Sequence, residues 1–287
     1  MLTRNIDREL DQALTAGPAG TITIPPCPDL LTRLQAVMRE ADPDWDVVCA
    51  IAGSDVAMAA SLVRAANSPI YARRSAVSSV NQAMSLLGLK ATAAQLMQFL
   101  TVRALPVNHP ALQNFWQGSS RRALAAGFVA RQLYGVPPDL AHTFGLFCDV
   151  GIPVLLQGLR GYGGTLAEAH ARRDRSFTGT EQANHRTDHT IVGALVARAW
   201  RLPEPLKLAI RLHHDPEVLH DGGIEPAVRT LIAAVLVADH LVARHEGQPD
   251  TQEWQQRGDA CLAYLQVRED ELTLWLDDLG PALLHVV

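Results

Sequence analysis

The sequence predicts an all-α protein. Three observations lead there. Apolar residues make up 48% of the 287 positions, chiefly Ala and Leu, while aromatics are only 5%, and Ala and Leu are strong helix formers. Apolar residues recur at helical spacing from one end of the chain to the other. Alternation of the β type is confined to the short stretch TITIP. The length allows one large or two modest domains, and this apolar content supports a core without disulfides or metals.

Each helix has its own signals. The first seventeen residues read as a short amphipathic helix with Leu2, Ile6, Leu10 and Leu14 on one face. PPCPDLLTRLQAVMREADPD follows, its prolines placed before the helix, where they are tolerated. Asp44 starts DWDVVCAIAG, and Ser54 is a plausible N-cap for SDVAMAASLVRAANS, which closes at Asn67-Ser68-Pro69. Ser79 opens SVNQAMSLLGL, Gly88 marks a turn, and ATAAQLMQFLTVRAL runs on until Pro106 stops it. From Pro110 the pattern predicts one long helix, closed by Gly135 and Pro137-Pro138, then a second, PDLAHTFGLFCDVGIPVLLQGL. The pattern breaks at GYGG. Helices resume in TEQANHR, DHTIVGALVARAWRL, PEPLKLAIRLHH and EPAVRTLIAAVLVADHLVARHEG, with two more near the C-terminus.

Composition also excludes function classes. No apolar run is expected to reach the roughly 18 residues of a membrane span, and the N-terminus lacks the apolar centre of a signal peptide. Cys27, Cys49, Cys148 and Cys261 form no CxxC pair, which argues against a zinc ribbon or redox motif. The expected location is the cytoplasm, where thiols stay reduced. The formal charge of −5, with basic residues clustered only at Arg73-Arg74, Arg121-Arg122 and Arg172-Arg173-Asp174-Arg175, does not give the basic stripe of a nucleic-acid binder. Those clusters read as solvated faces.

A few residues have the chemistry of a metal site: Cys148-Asp149, His189, the pair His213-His214, and Asp239. Carboxylate and imidazole together suit manganese, iron or zinc. Each has a plainer reading. An adjacent His pair near a helix C-terminus commonly serves as a cap, where positive charge is favoured, and a lone Asp at a helix end is commonly just solvated.

The order of these segments resembles HDOD domains, relatives of the HD-domain phosphohydrolases. IPPCPDLLTRLQAVMREADPDWDVVCAIAGSDVAMAASLVRAANSPIY looks like that family's Pro-rich start and "aNS" terminus, and SVNQAMSLLGL like its "I-x-x-A-I-x-x-LG" segment. FWQGSSRRALAA is similar to "W-x-H-S-x-x-x-A", and GLFCDVG to "GLLHDIG". DHTIVGALVARAWRLPEPLKLAIRLHHDPE is similar to the long His-bearing segment that ends in "HH-x-P". The resemblance covers residues 22 to 220 and implies an HD-like multi-helix bundle. Its expected parts are an extension (1–21), an N-terminal helical subdomain (22–106), a degenerate HD-like half (107–220), and C-terminal helices (221–287) packing on that half.

HD phosphohydrolases hold metal through a His, a His-Asp pair and a later Asp, and metal-bound water attacks a phosphoester. By resemblance, Gly118 stands at the first His, Cys148 at the His of the pair, Asp149 at its Asp, and Asp239 at the last Asp; His189, His213 and His214 match further histidines. Glycine has no ligand, and a buried cysteine is commonly an inert hydrophobe. Asp149, His189, His213, His214 and Asp239 can still supply a residual divalent-metal site, although no cofactor is expected to be required. The resemblance implies a non-catalytic signal-transduction module acting through protein partners. One rival is a metal-dependent phosphohydrolase or phosphodiesterase. Another is a nucleotide sensor with an anion site at Arg121 or Arg122. Neither nucleic acid nor membrane is an expected partner.

Overall fold

The structure, a computed structural model, describes residues 2–71, 76–107 and 109–286. Among them there is no strand; TITIP instead starts at the last residue of a 3-10 turn, Pro18–Thr21. The Arg73-Arg74 cluster lies outside the described residues. The chain divides into two compact units. One is built from Met1–Pro26 and Val107–Leu276, the other from Cys27–Pro106 and Asp277–Val287.

The second unit holds α2 (Asp29–Met38), α3 (Trp45–Gly53), α4 (Val56–Ala66) and α5 (Val80–Ala104). Asp44 caps α3 by accepting from the Asp46 and Val47 amides. The cap of α4 is Asp55, which accepts from Ala57 and Met58; Ser54, the expected cap, instead ends α3 by bonding back to the Ile51 carbonyl. Asp55 wins because its carboxylate reaches the two free amides of the turn. Asn67 closes α4, donating to the Val63 and Val77 carbonyls and accepting from Val77 N–H. Ser79 caps α5. The expected turn at Gly88 is a kink within α5, with φ 76° and ψ 166°, a conformation open to glycine.

The first unit carries α1 (Leu2–Thr15), α6 (Phe115–Gln132), α7 (Pro138–Phe147), α8 (Gly151–Gly158), α9 (Tyr162–Ala171), α10 (Phe177–His185), α11 (His189–Ala199), α12 (Glu204–Leu212), α13 (Pro226–His245) and α14 (Gln252–Leu265). A last helix, α15 (Glu269–Leu283), contributes to both units by sequence. α6 packs on α7 and α13, and α11 packs on α8 and α12. On α1, Ile6 and Leu10 are buried while Leu14 is 38% exposed.

Two long helices of the sequence reading are each broken. The segment from Pro110 begins as a separate 3-10 turn, Pro110–Leu112, before α6. The run 138–158 breaks at Cys148–Val150 into α7 and α8. Pro153 explains the second break: it has no N–H for the Asp149 carbonyl, and its ring crowds that turn. The Ile152 amide takes the carbonyl instead, at 2.9 Å.

The expectation that no segment is apolar enough for a membrane span also needs correction. Pro138–Gly158 and Pro226–His245 both qualify by length and composition, but 78% and 67% of those windows are buried inside the protein. Their apolarity serves internal packing, in which α6, α7 and α13 cover one another.

Candidate metal centre

The break between α7 and α8 leaves Asp149 in the turn that joins them. α11 starts beside it, with its N-cap Asp188 accepting from the Thr190 and Ile191 amides. That cap fixes His189 as the first helical residue. α12 ends at His213-His214. One atom each of Asp149, His189, His213 and His214 lie within 4.8 Å of one another. Four of the five residues expected to hold metal are thus brought together.

The three imidazoles are oriented alike. His189 Nδ1 faces Glu181 Oε2 at 2.7 Å, His213 Nδ1 faces the Ile210 carbonyl at 2.8 Å, and His214 Nδ1 faces Glu253 Oε2 at 3.0 Å. Each Nδ1 therefore carries a proton towards an acceptor, and each Nε2 turns inward. His189 Nε2 and His214 Nε2 are 3.1 Å apart, and Asp149 Oδ1 lies 3.5 Å from His189 Nε2 and 3.4 Å from His213 Nε2. His213 Nε2 is buried without a hydrogen-bond partner among the described residues. Carboxylate or carbonyl support behind each histidine is the usual outer arrangement of metal ligands. The donor set of three imidazoles and one carboxylate therefore fits a single divalent ion.

The supporting residues escaped the sequence reading. Glu181 is fully buried and also accepts from the Tyr162 hydroxyl. Glu253 is bonded by Arg257, whose Nη1 also donates to the His213 carbonyl at 2.7 Å. Electrostatics follows this wiring. Burial works against a charge on His189, but Glu181, with Asp149 and Asp188, raises it to about 9. Burial and the neighbouring His214 lower His213 to about 4. Without metal, the surroundings therefore favour a proton on His189 over one on His213.

The other oxygen of Asp149 meets a different cation. Arg122 lies one helical turn after Gly118 on α6, on the same face. Its Nη1 donates to Asp149 Oδ2 at 2.5 Å and to Cys148 Sγ, while its Nε lies 2.9 Å from Asp239 Oδ1. Asp239 is thus paired across Arg122 and is absent from the histidine cluster, contrary to the expectation that it joins them. Despite burial, Arg122 is pushed well above its ordinary value by Asp149 and Asp239. Burial opposes the charge of Asp149 too, but Arg122 and the histidines hold it well below the usual carboxylate range. Loss of water lifts Asp239 to about 6 against the pull of Arg122. Cys148 is raised well above its ordinary value, chiefly by burial, so it stays a thiol. Arg121 is bound to Glu246 at 2.7 Å. Neither arginine therefore presents the open anion site expected of this pair.

The positions that the resemblance aligns with metal ligands therefore divide in two. Cys148, Asp149 and Asp239 surround a guanidinium, while Gly118 faces open space, and this arrangement does not fit a metal ion. Asp149, through its second oxygen, and the three histidines do.

Comparisons with known proteins agree with this architecture. An HDOD protein from Geobacter sulfurreducens aligns over 99% of this chain and 97% of its own, with TM-score 0.73 and 21% identity. A Shewanella amazonensis SB2B protein, provisionally named a phosphohydrolase, aligns over 98% of both chains with TM-score 0.72 and 21% identity. At that identity the likeness concerns the fold. An uncharacterized protein of Treponema pallidum (strain Nichols) is 24% identical over 222 residues, 75% of this chain, and the chain spans only 42% of that relative's length. The HDOD domain model matches residues 24–216, and the chain belongs to the HDOD domain family.

Proposed function

We propose that this protein is a non-hydrolytic regulatory module that transmits a signal by binding a protein partner, in the cytoplasm. The observation that carries the reading is Arg122, whose guanidinium spans Asp149 and Asp239. A hydrolytic metal site needs about three protein ligands and an open position for water. By the resemblance, Gly118 and Cys148 stand where imidazoles are expected, and a tethered cation stands between the two carboxylates. A fixed positive charge balances the acids but binds no water as a nucleophile. Such a centre contributes a rigid core rather than turnover.

The test is a phosphoesterase assay with manganese, using cyclic dinucleotides, cyclic mononucleotides and nucleoside phosphates. No turnover above buffer is expected. Turnover that disappears in Asp149→Ala would overturn the reading.

The histidine cluster favours a second reading, in which one divalent ion is bound. An ion there would supply a cross-link among His189, His213, His214 and Asp149, and Lewis acidity towards an anion. Metal analysis after dialysis checks it: about one equivalent is expected in the wild type, and loss in His189→Ala.

A further inference from the structure

Beside the histidine cluster, and distinct from the Arg122 centre, lies a cavity of about 790 Å³. It is walled by the loop before α10, the first turn of α10, and residues of α11, α12 and α14. That volume falls within the range of sites for small organic ligands, roughly 300–1,000 Å³, and is too large for a lone inorganic anion.

The charges at its walls are unequally spent. Asp174 is held by Arg172 through two bonds of 3.0 and 2.7 Å. Asp188 accepts from Gln182, Thr190 and backbone amides, and Glu253 is held by His214 and Arg257. By contrast, Arg173 and Arg175, both exposed, line the cavity with no side-chain hydrogen bond or close ion pair shown among the described residues, and Arg175 acts on Glu168 and Asp174 only at longer range. Arg257, 7% exposed at its side chain, lines it as well, but its Nη1 is held by Glu253 and the His213 carbonyl and its Nε and Nη2 are sealed from solvent, so it shapes the wall rather than offering a free donor.

The backbone adds to this. α10 begins at Phe177 beneath the same loop, and Ser176 Oγ satisfies only the Gly179 amide. Helix geometry leaves the Phe177 and Thr178 amides without internal acceptors, and the helix dipole favours an anion there. Phe177 provides an apolar ring in the same wall, and Gln256 an amide.

We propose that this cavity binds a nucleotide-sized organic phosphate. Its phosphate lies at Arg173, Arg175 and the first turn of α10, and its ring system lies against the wall that contains Phe177. The site gives the module an input, and it does not depend on the protein's being non-hydrolytic.

The experiment is a thermal-shift and calorimetric titration of the full chain with AMP, GMP, cyclic AMP and cyclic GMP. Inorganic phosphate and adenosine serve as comparison probes. At least one nucleotide is expected to bind saturably and raise the melting temperature by mass action, while adenosine does not. Arg173→Ala/Arg175→Ala should weaken that binding roughly tenfold or more without changing the melting temperature of the free protein. Arg131→Ala should leave it unchanged. No binding by any nucleotide, or equal binding by the double variant, overturns the site. Inorganic phosphate binding as tightly as the best nucleotide overturns the nucleotide-sized occupant. Chromatography of the recovered nucleotide separates the two proposals, since a bound nucleotide that is hydrolysed would sink the regulatory reading and leave this site standing.

Discussion

Position 122 carries a cation on a side chain, between two carboxylates that the resemblance aligns with metal ligands. This changes what restoring the ligands should do. A Gly118→His/Cys148→His variant puts back both imidazoles, and nothing lies within 4 Å of a Cβ at Gly118. Yet Arg122 still fills the space between Asp149 and Asp239. We expect that double variant to hold no more metal than the wild type, and the triple variant with Arg122→Ala to hold one further equivalent by metal analysis. A gain in the double variant would show that Arg122 yields its place. Arg122→Ala alone leaves two acids facing each other. Removing one partner of a buried pair costs about 3–5 kcal/mol, and less here because Asp239 is 40% exposed.

The same scale sets the pH response. His142 on α7 is buried and, with Arg131 nearby, is lowered to about 4. Between its ordinary value near 6.5 and about 4, the unfolded chain binds a proton that the folded one refuses. Stability therefore falls as pH drops through that window, by roughly 3 kcal/mol from this group. His189, raised to about 9, acts oppositely: its contribution is present below about 6.5 and is lost as pH rises through 9. Melting temperature measured from pH 7 to 4 should fall less steeply in His142→Gln. Identical slopes would place the titration elsewhere. Much of this centre was legible as residue types, since the motif order pointed to Asp149 and the three histidines. Glu181, Glu253 and the role of Arg122 were not. A buried ion pair joins residues far apart in sequence, and no local pattern marks it.

At the scale of elements, caps and stops could be read directly because they act within a turn: Asp44, Ser79 and Asn67 all close or open helices where expected. The α7–α8 break was hidden by an apolar run that continues across it. Pro153 was the available signal for the break, and Gly151 for the helix contact beside it. A Cβ at Gly151 would stand 2.0 Å from the His189 carbonyl oxygen and 2.7 Å from the Gly193 amide, so α8 and α11 touch through backbone. This contact sets how Asp149 and His189 meet. Gly151→Ala must push the helices apart, at about 1–3 kcal/mol or more for overpacking against backbone. We expect it to lower the melting temperature and to remove bound metal together. Gly118→Ala is the control, because its Cβ meets open space and helix propensity favours Ala by about 0.8–1.0 kcal/mol. If Gly151→Ala keeps both stability and metal, the helix contact does not position the centre.

At the scale of the whole molecule, the chain crosses between its units at 26/27, 106/107 and 276/277. The family model begins at residue 24, yet the residues before it belong to the first unit. Amphipathicity showed that α1 has an apolar face but not what it covers. That target is set by α11 and α12: Asp7 meets Lys207 at 2.6 Å, Asp11 meets Arg198 at 2.8 Å, and Glu9 pairs with Arg211. The ion pairs look numerous, but Asp7, Glu9 and Asp11 are 43%, 38% and 69% exposed. Pairs with acids so exposed contribute about 0–1 kcal/mol each, and Lys207, though buried, keeps Glu204 at 3.0 Å if Asp7 is lost. Leu10 is wholly buried and Ile6 nearly so, and truncating a buried leucine costs about 2–5 kcal/mol. The apolar face should therefore hold α1 in place, with the charges setting its register. Leu10→Ala is expected to destabilise the first unit more than Asp7→Asn and Glu9→Gln combined, in urea denaturation at both low and high salt. A larger loss from the charge variants, fading as salt rises, would mean that α1 is held by its ion pairs instead.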